Sequence, residues 1–288
     1  MIRAELKAKA KSQIKGNIGI LFLIYLVYSL IFSAVFAPFI AMMTAPIVNL
    51  FAITATPELA SVGLADLGVW YWIGFAGTMI VGLIAPAFML GWTKIFLGLT
   101  NNQKPKVADL FSGFKSFGKA LWLYILWGFF IFLWTLPFHL PAIILLAVIP
   151  VLNSQALVVV FAILGILLSI AALVMVVIKL LAYWQSFYIL AENPHMTARE
   201  CLRESVSIMR GNKGKLFVLE LSFIGWFLLG MITLGIAFIW IGPYFYTTLA
   251  NFYHAVKGKS ASQPSFANAA PAPVAPEVEV EVELDIEE

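Results

Sequence analysis

Apolar residues in this 288-residue chain occur in long blocks, and charged residues fall almost entirely between them. From Ala120 to Ile178 there is no Asp, Glu, Lys or Arg. One bilayer crossing takes about 20 apolar residues, so that stretch alone is long enough for two. The blocks predict six transmembrane helices, at 18–42, 69–91, from about 120, at 156–190, at 216–232 and at 235–253. Trp70, Tyr71 and Trp72 form an aromatic belt at the start of the second. Thr233, Leu234 and Gly235 mark the turn between the fifth and sixth. Pro137 and Pro141 interrupt the third block, and Pro150 follows. Proline removes a backbone donor and kinks a helix. The favoured reading is a kinked, tilted helix with an outside loop at 153–155. The alternative is a re-entrant, cavity-lining segment within 141–178.

Composition agrees with a membrane assignment. The chain is 62% hydrophobic and 11% charged, with a mean hydropathy of +0.95. A soluble domain is nearer half apolar and a quarter charged. The N-terminal basic region is too long, and the apolar run after it too extended, for a cleaved signal peptide, so that segment is expected to be retained. On a six-helix map all 18 Lys and Arg residues fall on one side. The positive-inside rule then places both termini in the cytoplasm. Seven of the 15 acids lie between Glu277 and Glu288, which leaves 18 bases against 8 acids in the rest of the chain. The lone cysteine, Cys201, excludes an intramolecular disulfide.

Three stretches on the basic side are amphipathic. Arg3, Lys7, Lys11 and Lys15 recur every four residues, beside a stripe of Ile2, Leu6, Ala10 and Ile14. Val107, Leu110, Phe111, Phe114 and Phe117 share a face, flanked by Lys106, Lys115 and Lys119. Thr197 and Glu200 form a capping box ahead of a third helix. That helix turns Ala198, Cys201, Leu202, Ser205 and Met209 one way, and Gly211 is placed to end it. Arg3, Lys7, Lys11, Lys15, Arg199, Arg203 and Arg210 are therefore candidate contacts to anionic lipid headgroups.

The later stretches carry a resemblance. Leu110-Phe111-Ser112-Gly113-Phe114, Leu190-Ala191-Glu192-Asn193-Pro194, Ala198-Arg199-Glu200 and Met209-Arg210-Gly211 are its first signatures. Leu219 to Trp226, Thr233-Leu234-Gly235, Pro243-Tyr244 and Phe252-Tyr253 follow. With Glu5-Leu6-Lys7 and Lys15-Gly16-Asn17 at the start, the chain resembles a family of bacterial integral membrane proteins, domain of unknown function 975. The resemblance covers most of residues 1–257, and 141–178 departs from it by its length. It implies a multi-pass protein of the bacterial cell membrane and brings no activity.

One acid stands inside an apolar block. Glu220 follows Leu216 by four residues, about 6 Å into the fifth helix. An acid at mid-bilayer costs roughly 2.5–3.5 kcal/mol on insertion scales, and less near the edge. Lys179 and Lys94 are its candidate partners, and Gln185 is a candidate member of the same polar site. Two roles compete: an interfacial lock that fixes the fifth helix, or part of an ion, proton or substrate path.

No Walker loop, G-x-S-x-G, H-E-x-x-H or paired C-x-x-C is present. Three scattered histidines and one cysteine supply few metal ligands. The expected architecture is an all-α, polytopic membrane helix bundle. It comprises a basic amphipathic helix at 1–17, a six-span membrane domain at 18–257, and an Ala/Pro-rich, acidic, disordered tail at 258–288. The expected function is that of a non-enzymatic component without a cofactor. Its expected partners are anionic lipid and a protein engaged through the acidic tail, not nucleic acid. The alternative is a transporter or permease-like protein using Glu220 and broken third and fourth spans.

Overall fold

A computed structural model describes residues 3–55, 64–151 and 154–261. The acidic end of the tail and Asn153 in the expected loop lie outside them. The described chain is an all-α membrane helix bundle. It begins with α1 (Arg3–Ile14), α2 (Ile18–Ala55), α3 (Leu64–Gly82) and α4 (Ala85–Thr100). A 3-10 helix, Val107–Ser116, leads into α5 (Phe117–Val148), and a second short one, Ile149–Val151, follows it. Then come α6 (Gln155–Tyr183), α7 (Ser186–Glu192) and α8 (Ala198–Ile208). The last are α9 (Lys213–Leu221), α10 (Ile224–Ile232) and α11 (Phe238–Ala261).

Five segments are long and apolar enough to cross a bilayer: Ile18–Thr44, Val69–Thr100, Val107–Leu145, Gln155–Glu192 and Lys213–Ile232. They correspond to the first five predicted spans. The sixth predicted span falls in α11 and is not among these five. The middle of α11 carries polar groups, and its Thr247, Thr248, Asn251 and Tyr253 are buried against protein.

α5 runs as one helix through both Pro137 and Pro141, as the favoured reading has it, and the break in the third span that the alternative needs is not there. A long apolar helix tolerates the two missing amide donors where neighbouring groups take up the freed carbonyls. The breaks lie elsewhere. Leu83–Ile84 separates α3 from α4, with a proline in the first turn of α4. Trp184–Gln185 separates α6 from α7, and Ser222–Phe223 separates α9 from α10.

A pattern repeats along the chain. A long helix, a helix with a two-residue break, and a short capped helix follow one another as α2, α3–α4 and 107–116. They do so again as α5, α6–α7 and α8. Each short helix starts with the same device, an acid three residues on that accepts from the capping amide. Asp109 Oδ2 accepts from Lys106 N at 2.9 Å, and Glu200 Oε2 from Thr197 N at 2.7 Å.

The 3-10 helix lies against α4 at backbone contact distance. A Cβ at Gly91 would stand 2.0 Å from the Leu110 carbonyl oxygen, and one at Gly113 would stand 1.9 Å from that of Ala87. Only glycine permits both approaches. The tighter 3-10 winding aligns residues three apart, and it turns Leu110 and Gly113 together into this contact.

α2 pairs with α3, and α5 with α6, as long helical hairpins. α1 lies on α11, and α4 packs on α7 and α11. The buried core gathers where these shorter elements meet. Leu21, Leu90, Leu110, Leu123, Phe187, Leu190, Cys201, Leu216, Phe223, Phe252 and Tyr253 all belong to it.

Candidate functional site

Glu220 is the penultimate residue of α9, directly before the Ser222–Phe223 break. Its side chain is half-buried, and Oε1 is buried without a hydrogen-bond partner. Among the described residues no ion pair or hydrogen bond joins it to either predicted lysine. Lys94 donates instead to the Ser112 carbonyl at 3.3 Å, tying α4 to the 3-10 helix. Lys179 places its ammonium over the Trp134 ring, 3.2 Å from the centroid, between α6 and α5. Gln185 is fully buried at the α6–α7 break, with neither amide atom hydrogen-bonded. The expected lysine lock on Glu220 is therefore not formed, because both lysines are engaged within their own helix pairs.

A different lysine holds the fifth span. Lys7 of α1 donates to the Ser222 carbonyl at 3.0 Å, and its ammonium sits 4.2 Å from the Phe223 ring centroid. A helix break leaves carbonyls without amide partners, and their combined dipole attracts a cation. α1 delivers that cation because Leu6, Ala10 and Ile14 dock it on the bundle. Burial, then the nearby Arg3 and Lys11, pull the Lys7 ammonium below the usual lysine range. Lys11 lies over the Tyr244 ring at 5.6 Å, while Arg3 and Lys15 are exposed.

The richest polar cluster centres on Glu192, at the end of α7. Its Oε2 accepts from the Tyr253 hydroxyl at 2.7 Å and from the Lys257 ammonium. Its Oε1 lies 3.8 Å from His254 Nδ1. On the far side of that ring, Nε2 meets Thr100 Oγ1 at 2.9 Å. The Thr100 carbonyl accepts from Gln13 Nε2 at 3.2 Å, and Gln13 Oε1 accepts from Asn251 Nδ2 at 2.6 Å. Tyr188 stacks on Tyr253, with centroids 5.4 Å apart. One chain of bonds thus joins α1, α4, α7 and α11. It also brings α1 and α11 together through Gln13 and Asn251.

Sequence reasoning missed Glu192 as a hub. A signal was present: Tyr253 and Lys257 are four residues apart, hence on one helical face, and both point their polar ends at one carboxylate.

α8 follows its sequence closely. Thr197 Oγ1 accepts from Glu200 N at 3.3 Å, and Glu200 Oε2 accepts from both Thr197 N and Thr197 Oγ1. The predicted face, with Ala198, Cys201, Leu202, Ser205 and Met209, is buried. Ser205 Oγ donates to the Ala182 carbonyl at 2.8 Å and pins α8 to the end of α6. Burial pushes the Cys201 thiol up to about 11, so it stays protonated at neutral pH. Arg199, Arg203 and Arg210 are exposed on the opposite face. The helix ends at Ile208 with Met209 as its C-cap, and Gly211, the expected cap, follows two residues later in the left-handed region at φ +69°.

Among the described residues no three His, Cys, Asp or Glu side chains assemble as a metal site. No curated protein and no solved structure matches the chain. The family model described as a protein of unknown function, DUF975, matches residues 1–260, and the chain belongs to that family.

Proposed function

We propose that this protein is a non-enzymatic, multi-pass component of the bacterial cell membrane that engages anionic lipid through its basic end. The observation that carries the reading is the combination of rigid docking and free charge. α1 and α8 each bury one apolar face, yet hold Arg3, Lys11, Lys15, Arg199, Arg203 and Arg210 outward. Among the described residues every ion pair is made by Glu192, so none of these cations is paired with a described carboxylate. Each such base near an anionic surface contributes about 1 kcal/mol.

Both termini are assigned to the cytoplasm. The Gln13–Asn251 bond supports a shared side, and the clustering of bases there supports the cytoplasmic one. The acidic segment 277–288 then offers a cytoplasmic protein partner a run of alternating acidic and apolar residues. The test is reconstitution in a mixed zwitterionic and anionic bilayer, followed by assay of the lipid retained around the protein. Anionic enrichment should fall when Arg199, Arg203 and Arg210 are all changed to Gln. Enrichment equal to wild type would sink the reading.

A second reading, a permease-like path, rests on the unpartnered polar atoms of Glu220 and Gln185 beside helix breaks. A flux of protons or ions through sealed vesicles, abolished by Glu220→Gln with the fold retained, would favour it.

A further inference from the structure

Between α1 and the α10–α11 pair lies a groove of about 330 Å³. Trp226, Trp240, Tyr244 and Ile18 give it apolar walls, and Lys11 and Lys15 line it from α1. That volume is in the range of small-molecule sites. Trp226 is 42% and Trp240 56% exposed, so neither ring is covered by protein. Tryptophan concentrates where hydrocarbon meets headgroups. Lys11 and Lys15 are one turn apart on one helical face. Lys7, a turn earlier, already serves the Ser222 carbonyl, and Lys11 and Lys15 make no ion pair with a described carboxylate. The groove thus sets two lysines that have no described carboxylate partner beside an apolar wall.

We propose that this groove holds a single anionic phospholipid, its phosphate between Lys11 and Lys15 and an acyl chain along Trp226, Trp240 and Ile18. The assignment rests on the lipid-engaging reading above and narrows it to one site. The wall decides between a lipid and an acidic peptide. A water-soluble acidic peptide would satisfy the lysines but would have to lie along Trp226 and Ile18, which belong to segments apolar enough to cross a bilayer, where acyl chains already fill the surroundings. A lipid satisfies both halves of the groove at once.

The experiment uses the full chain in bilayer discs of phosphatidylglycerol and phosphatidylcholine, released for native mass spectrometry. Wild type should retain one phosphatidylglycerol in preference to phosphatidylcholine. Lys11→Gln with Lys15→Gln should weaken that retention by roughly thirtyfold, taking two surface-lysine contributions together. Trp240→Ala should weaken retention of either lipid. All three positions are exposed or line an open groove, and an unchanged melting temperature confirms that the fold is kept. If the double lysine variant still holds its phosphatidylglycerol while the Arg199, Arg203 and Arg210 variant loses enrichment, the groove is wrong and the wider reading stands. If neither set changes anionic retention, both fail. A zero-length crosslink from Lys11 or Lys15 to the acids of 277–288 would overturn the proposal by putting the tail in the groove.

Discussion

At the basic end, Phe187, Phe223, Phe252 and Tyr253 are each at most 2% exposed. Along the α5–α6 hairpin, Phe132, Ile143, Ile166 and Leu173 are about 60% exposed. The side chains compared are all large and apolar or aromatic, and they differ in what surrounds them. In lipid, an exposed leucine is already in its preferred solvent, so burial gives helices no hydrophobic reason to associate. The hairpin region therefore constrains the fold weakly. The basic end constrains it through close backbone approach and satisfied polar bonds. Substitutions should separate the two regions accordingly.

The largest effect should come from Gly113→Ala. Its new Cβ meets the Ala87 carbonyl and the Gly91 amide, and backbone cannot step aside as a flexible side chain can. Overpacking of this kind costs about 1–3 kcal/mol. Gly128→Ala in α5 is the matched control, because nothing lies within 4 Å of its added Cβ. It should be neutral or slightly stabilising, since alanine is favoured over glycine in a helix by about 0.5–1 kcal/mol. Thermal unfolding in detergent distinguishes them, and equal melting temperatures would erase the contrast between the two regions.

Glu192→Ala should come next. It removes the acceptor shared by Tyr253 and Lys257 from a carboxylate that is 23% exposed. A hydrogen bond to a charged group contributes about 1.5–3 kcal/mol, so a loss near 2 kcal/mol is expected. Tyr253→Phe, which removes only one donor, should cost roughly half as much. If the phenylalanine variant matches the alanine one, the tyrosine rather than the carboxylate is the hub.

Lys7→Met should cost less, about 0.3–1 kcal/mol, the usual contribution of a cation at a helix C-terminus. Its signature is local. Amide exchange around the Ser222–Phe223 break should accelerate, while α8 exchanges as before. Uniform acceleration would mean that Lys7 holds α1 on the bundle rather than stabilising the break.

These sites were unequally legible in the sequence. Apolar length located the five membrane segments, and the short-range rules of capping placed α8, its buried face and the Gly211 stop. Both signals are local, so one chain suffices to read them, although α8 stops at Ile208, slightly ahead of Gly211. Lys7 was one of four lysine or arginine residues at equal spacing, and only the position of the Ser222 break singles it out. Gly91 and Gly113 read as ordinary glycines until the 21 residues between them fold back on α4. Asp109 performs at residues 106–109 what Glu200 performs at 197–200. A lysine in the capping position hid the parallel, because its side chain contributes no cap.

The smallest effect is also the one with a pH signature. Glu200 is fully exposed, and its carboxyl is held below the usual glutamate range. The Thr197 backbone amide is the main cause, followed by the Thr197 hydroxyl. A carboxylate whose pKa is depressed by folding contributes stability above its unfolded pKa, and loses it as pH falls through the folded value. α8 should therefore be protected at neutral pH and begin to fray only when the solution becomes more acidic than an ordinary glutamate requires. Glu200→Gln leaves the Thr197 hydroxyl able to cap but removes the titrating group, so it should flatten the acid limb of α8 protection without changing the hairpin region. Hydrogen exchange of the first α8 amides, compared across pH in both proteins, makes the measurement. Parallel acid limbs would show that the cap is geometric, and that the charge on Glu200 adds nothing to the order of the basic end.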